Sequence, residues 1–148
     1  MIAVLRQVPS FMFRPRRQPQ RWLLAVLAVV AGLAHVPLIP PHLSEAPYMG
    51  VLFILLTIAC LMLAGAATFR DSAAVYSTSA AVCGVAVIGY VATRLVPFPM
   101  LADEVGNWLE PLGLLAVPAE TAVVVIAVRV LLRASRHSFP GAGPSSTI

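Results

Sequence analysis

Four long apolar segments, at residues 22–39, 48–69, 72–93 and 111–133, decide what this 148-residue chain can fold into. A helix needs about 20 apolar residues to cross the ~30 Å hydrocarbon core of a bilayer. Each segment is close to that length or above it. The pattern therefore predicts an all-α fold, a four-helix transmembrane bundle, whose first partner is the lipid bilayer itself.

The membrane domain, residues 22–133, leaves little chain for a second folded domain. Residues 1–21 are rich in arginine and proline, and we expect them to form a cytoplasmic arm near anionic headgroups. Residues 134–148 are rich in glycine, proline and serine, and we expect a disordered cytoplasmic tail.

The basic charge is distributed unequally along the chain, and this predicts an orientation. All 10 basic residues are arginine. With four crossings, nine of them fall on one side and Arg94 alone falls on the other. Because short loops rich in Arg and Lys stay on the cytoplasmic side, both termini are predicted to be cytoplasmic. The use of Arg without Lys, with much Ala, Val, Gly and Pro, suggests a GC-rich bacterium and its cytoplasmic membrane.

Two features of the spans leave alternatives open. The basic start followed by an apolar run also fits a signal peptide cleaved after Ala34, although the run is long and the small-residue pattern imperfect. The third span carries small residues at helical spacing (Ala73, Ser77 and Ala81), which predicts that it packs at the centre of the bundle. Cys60 and Cys83 are expected to be apolar packing residues; a disulfide between them cannot be judged from spacing.

A histidine and acid cluster on the outer loops is the first candidate for chemistry. His35, His42 and Glu45 lie around the first outer loop, and Asp103 and Glu104 lie on the second. Imidazole and carboxylate together suit a transition metal such as Cu, Zn or Fe. A single His-x-x-Glu pair is a weak signal, and the alternative is a packed histidine among solvated acids.

Glu120 is the second candidate, because it falls near the middle of the fourth span, just after Pro118. An ionisable side chain at that depth is costly and should face the bundle interior or a wet cavity. It is either a protonatable site on a proton or substrate pathway or a protonated acid that bonds Thr57, Tyr90 or Ser79. Contact with His35, nearer the outer surface, is expected to need a kink or a water.

Arg94, the single basic residue on the outer side, is expected to pair at the mouth of the loops with Glu110 or Asp103. No nucleophile elbow, phosphate loop or paired-carboxylate motif is present, so the chain is not expected to be an enzyme. The arginines flank apolar spans instead of clustering on one folded face, so nucleic acid is not an expected partner.

Two blocks of sequence resemble a known group of proteins. His35-Val36-Pro37 with the run from His42 to Phe53, and the run from Gly106 to Gly113, are similar to blocks in uncharacterised actinobacterial four-helix integral membrane proteins. The resemblance implies a small polytopic membrane protein with the outer loops as its working surface. It brings no activity and no catalytic residue.

The sequence favours a non-enzymatic accessory or interaction component of the membrane, associating with other membrane proteins or with itself. The alternative is a metal-handling or proton-coupled transport component. It would use the His and acid cluster as ligands and Glu120 on its pathway.

Overall fold

The computed structural model describes residues 18–136, which are helical apart from short connections and contain no strand. Most of the expected N-terminal arm and of the tail therefore lies outside the described residues. The helices are α1 (Gln18–His35), α2 (Ile39–Glu45), α3 (Pro47–Phe69), α4 (Ala73–Leu95) and α5 (Pro111–Arg136). The all-α prediction is confirmed.

Four helical stretches are long and apolar enough to cross a membrane, as the four predicted spans require. They are Pro19–Glu45, Pro47–Phe69, Ala73–Leu95 and Pro111–Arg136. The first is 27 residues long because α1 and α2 run on through a 3-10 turn at Val36–Leu38. The sequence offers Ser72 or Asp71 as the cap of α4, and Ser72 takes that role, with its hydroxyl accepting a hydrogen bond from the Val75 N–H at 3.4 Å.

The proline-rich stretch after His35 is helical, which corrects the expectation of a first outer loop over residues 40–47. Pro40 and Pro41 lie in the first turn of α2, where a missing N–H has no intrahelical acceptor to lose. The chain then turns at Ala46, and Pro47 opens α3. His42 and Glu45 consequently lie on one short helix.

Residues 102–109 are expected from the sequence to form a short interfacial helix, but the connection between α4 and α5 contains less helix than that. Only Ala102–Glu104 forms a 3-10 turn, and Val105 is already extended. Gly106 has a φ of 80°, a left-handed conformation that residues with a Cβ rarely adopt, so the helix cannot continue. Two tyrosine hydroxyls bind this connection to the helices: Tyr48 donates to the Pro99 carbonyl at 2.6 Å and Tyr90 to the Trp108 carbonyl at 3.1 Å.

The central helices are α1 and α5, which each pack extensively against two others, and the prediction that the third span is central is wrong. α1 packs against both α3 and α5, whereas α4 packs mainly against α5. The small residues Ala25, Ala28 and Ala31 of α1 are buried in the core, whereas Ala73, Ser77 and Ala81 of α4 are exposed. Small residues permit close packing, but the neighbouring helices decide which row of small residues forms a helix–helix contact.

The contact between α1 and α3 is close. A Cβ at Gly32 would lie 3.1 Å from the Cβ of Cys60, and the Thr57 hydroxyl donates to the Gly32 carbonyl at 3.3 Å. Cleavage after Ala34 would remove this helix from the centre of the core. By contrast, α3 and α4 contact each other sparsely, which leaves a space between them.

The corner between α2 and α3 depends on Gly50. A Cβ there would meet the backbone nitrogen and side chain of Leu43 at 2.7 Å. We expect Gly50→Ala to lower the free energy of unfolding in detergent by about 1–3 kcal/mol, because α2 must move. Gly65→Ala, in the same helix with nothing within 4 Å, is the control and should be neutral or stabilising. Equal thermal midpoints for the two variants would contradict this packing.

Candidate functional site

The space between α3 and α4 is a cavity of about 620 Å³. It extends from the α2 end of the bundle, the end that carries α2 and residues 96–110, toward the middle of the helices. Its walls are apolar and aromatic, and include Leu52, Phe53, Leu56, Val82, Val85 and Phe98. The polar side chains reach it at two levels, at the mouth near Arg94 and at the floor near Glu120.

Glu120 and His35 meet at the floor of this cavity. Glu120 lies nine residues after Pro111, or about 14 Å along α5. Its side chain is almost fully buried, and its Oε1 is 3.7 Å from Nε2 of His35. The two side chains therefore lie within 4 Å of each other, although His35 was expected nearer the outer surface.

The orientation of His35 is fixed by its own helix. Its Nδ1 lies 2.7 Å from the Ala31 carbonyl oxygen, which can only accept, so Nδ1 carries a hydrogen and donates. In the neutral ring, Nε2 is then an acceptor that faces the Glu120 carboxyl. An approach of the two side chains by less than about 1 Å would let a protonated Glu120 give its proton to this nitrogen, so the pair can hold one proton in either of two positions.

The partners that the sequence offered for Glu120 are bonded elsewhere. The hydroxyls of Thr57, Ser79 and Tyr90 donate to the backbone carbonyls of Gly32, Val75 and Trp108. Within residues 18–136, the buried Oε1 of Glu120 has no hydrogen-bond partner. This carboxyl is thus buried, lines a cavity, and is satisfied neither by a hydroxyl nor by an arginine.

Cys60 and Cys83 approach each other beside Glu120, a grouping that sequence analysis did not anticipate. Both are fully buried and unbridged, and they lie close to each other and to the carboxyl. The sequence signal for this grouping was the similar depth of the two cysteines in the membrane spans. Counted from the α2 end, Cys60 lies 13 residues after Pro47 and Cys83 lies 12 residues before Leu95.

At the mouth of the cavity, Arg94 holds two carboxylates. It donates to Glu104 and, at 2.6 Å, to Glu110, the partner that the sequence suggested; Asp103, the other suggestion, is exposed. The guanidinium also lies 4.5 Å from the centre of the Tyr90 ring. These contacts bury a cation to 4% side-chain exposure and join α4 to two points of the connection, the second of them directly before α5.

The predicted metal ligands are not brought together. Among residues 18–136, no group of three or more His, Cys, Asp or Glu side chains is placed to hold a metal ion. The Phe53 ring contacts both His35 and His42, with ring centres 5.4 Å and 4.9 Å away. Glu45 and Asp103 are exposed, and Glu104 is bonded to Arg94.

The arginine cluster at the mouth makes a stability prediction. Arg94→Met leaves two neighbouring carboxylates without their cation and should lower the free energy of unfolding by about 2–4 kcal/mol, somewhat below the cost for fully buried pairs. The triple variant Arg94→Met/Glu104→Gln/Glu110→Gln removes both charges as well and should recover most of that loss. Thermal unfolding in detergent measures both, with exposed Arg70→Gln as the control. A triple variant as unstable as the single one would contradict this electrostatic account.

The geometry of the site has no counterpart from which a function could be transferred. Comparisons with protein-family models, with curated proteins and with solved structures find no match to this chain. The residues, distances and burial described above are therefore the basis for its function.

Proposed function

We propose that this chain is a small multi-pass protein of the cytoplasmic membrane that binds an apolar molecule between α3 and α4, as a proton-coupled transport component. One observation carries the proposal: an apolar cavity of about 620 Å³ has the buried carboxyl of Glu120 at its floor. Cavities that take small molecules have volumes of about 300–1,000 Å³ and few, well-placed polar groups.

The position of Glu120 supports coupling to protons. Ionisable side chains within membrane spans are costly and characteristically mark ion, proton or substrate pathways. His35 can accept a proton from Glu120 through Nε2, because Nδ1 is held by the Ala31 carbonyl. A chain of polar groups also lines the way out, since His42 and Arg94 lie on the cavity wall toward the α2 end.

A binding role without chemical conversion is supported by the hydroxyl groups of the described residues. Ser77 and Ser79 donate to carbonyls of their own helix, and Thr93 does the same. A hydroxyl nucleophile needs a neighbouring base, and these three are bonded to backbone oxygens instead.

The accessory or interaction role has one observation in its favour. Large apolar side chains on the two flanks of the cavity are exposed, among them Leu52, Leu55 and Val85. A helix of a partner could cover these flanks. In that role Glu120 would serve packing only, and Glu120→Gln would preserve function. In a transport role, the same substitution would abolish flux.

Ligand binding is tested with N-phenyl-1-naphthylamine, an apolar dye that brightens when it leaves water. Gly89 lines the cavity and has open space around it, so Gly89→Phe should fill the cavity without disturbing the fold. We expect dye affinity to fall about tenfold or more, the loss of roughly 1.4 kcal/mol. Gly65→Phe, at another open position outside this cavity, should bind like the parent. Equal binding by the two variants, or none by the parent beyond empty nanodiscs, would refute the cavity as a ligand site.

The proposed orientation puts both ends of the chain in the cytoplasm. Its support is the exposure of Arg70, Arg129 and Arg136 at one end of the bundle, opposite the buried Arg94. A fluorescent protein that folds only in the cytoplasm, fused after Ile148, should glow, and alkaline phosphatase fused there should be inactive. A fusion of either reporter between Gly106 and Asn107 should give the opposite result, and failure to do so would reverse the topology.

A further inference from the structure

We propose that the ligand of the cavity is a lipophilic organic cation, and that it exchanges with the proton held between Glu120 and His35. This inference rests on the proposed function and adds the charge of the substrate and the number of protons exchanged. Its basis is the set of charges on the cavity wall, their existing partners, and the surroundings of Glu120.

The charges lining the cavity favour a cation over an anion. The two carboxylates of Glu104 and Glu110 share the one guanidinium of Arg94, which leaves a net negative charge, and Glu120 adds a third carboxyl group at the floor. Arg94 is already bonded to two of them, so it has no charge left for a bound anion. An apolar anion entering this space would meet excess negative charge, whereas a cation would be attracted through the mouth to the floor.

Glu120 is the one carboxylate of the three that lacks an arginine partner. The groups that face it are His35 from α1, Cys60 from α3 and Cys83 from α4. None of these carries a permanent positive charge. A carboxylate at this depth is costly without a countercharge, so in the empty cavity the Glu120–His35 pair keeps a proton and remains neutral overall.

A bound cation supplies the countercharge that the proton otherwise provides. When the cation reaches the floor, the proton on the pair leaves toward the α2 end, and the Glu120 carboxylate faces the cation with a neutral His35 beside it. One positive charge enters and one leaves, so the occupied site is as neutral as the empty one. No bond other than the one to this proton is broken.

The walls suit a large organic cation better than a hydrated metal ion. The Phe53 ring lies beside His35, and Tyr48 and Phe98 also line the space. Aromatic faces attract organic cations that have shed their water, and apolar walls bury their hydrocarbon groups. Tyr90 already has the Arg94 guanidinium over its face, so Phe53 is the ring that remains beside the floor.

The test compares two probes of nearly the same shape and opposite charge, tetraphenylphosphonium and tetraphenylborate. Binding of each to the full chain in nanodiscs is measured by calorimetry, and proton release by an indicator dye in weak buffer. We expect the phosphonium to bind at least about tenfold more tightly than the borate and to release about one proton. Glu120→Gln should lose both the preference and the release, Glu120→Asp should retain a preference, and exposed Glu45→Gln should behave like the parent.

Three results overturn the inference: equal binding of the two ions by the parent, tighter binding of the borate, and a preference for the phosphonium that survives Glu120→Gln. If the parent still binds the neutral dye and Gly89→Phe binds it more weakly, the proposed function stands and only the substrate class is wrong. If neither the dye nor either ion binds, both proposals fail. A misfolded Glu120→Gln protein leaves the ion preference and proton release of the parent as the deciding measurements.

Discussion

The close packing of small residues around α1 is the constraint on which the rest of this structure depends. Lipid provides no hydrophobic drive for helices to associate, so they are held by backbone approach and van der Waals contact. Gly32 brings α1 against Cys60 of α3, and buried alanines on the same helix let α5 approach. With α1 occupied by both neighbours, α4 packs on α5 and stays apart from α3, and the cavity results.

The ionisable groups at the mouth and at the floor of this cavity differ in whether they have hydrogen-bond partners. At the mouth, one arginine bonds two partly exposed carboxylates, an arrangement that joins three parts of the chain. At the floor, Glu120 is buried opposite His35 in a separation too long for a hydrogen bond. Structural groups in folded proteins satisfy their buried polar atoms, so a carboxyl left short of partners beside a cavity is the feature that most needs a functional explanation.

Local rules were reliable wherever a residue's own neighbours in sequence decide its state. Apolar length predicted four spans, and the sequence placed a helix cap at Asp71 or Ser72, of which Ser72 is the cap. The same rules failed at residues 40–47, because consecutive prolines were expected to break a helix that they instead begin. They also failed at Gly106, where a left-handed backbone ends a helix expected to continue.

The sequence by itself determined the four apolar spans and the presence of an acid at mid-span, because each depends on composition within about 20 residues. Only the tertiary structure decided that Glu120 faces His35, that the cysteines lie beside it, and that Arg94 takes two partners. The physical reason is rotation: helical periodicity sets which residues share a face, but packing against neighbours sets where that face points. The proposed site consists of residues from four helices, so its composition could be read only after those helices were packed.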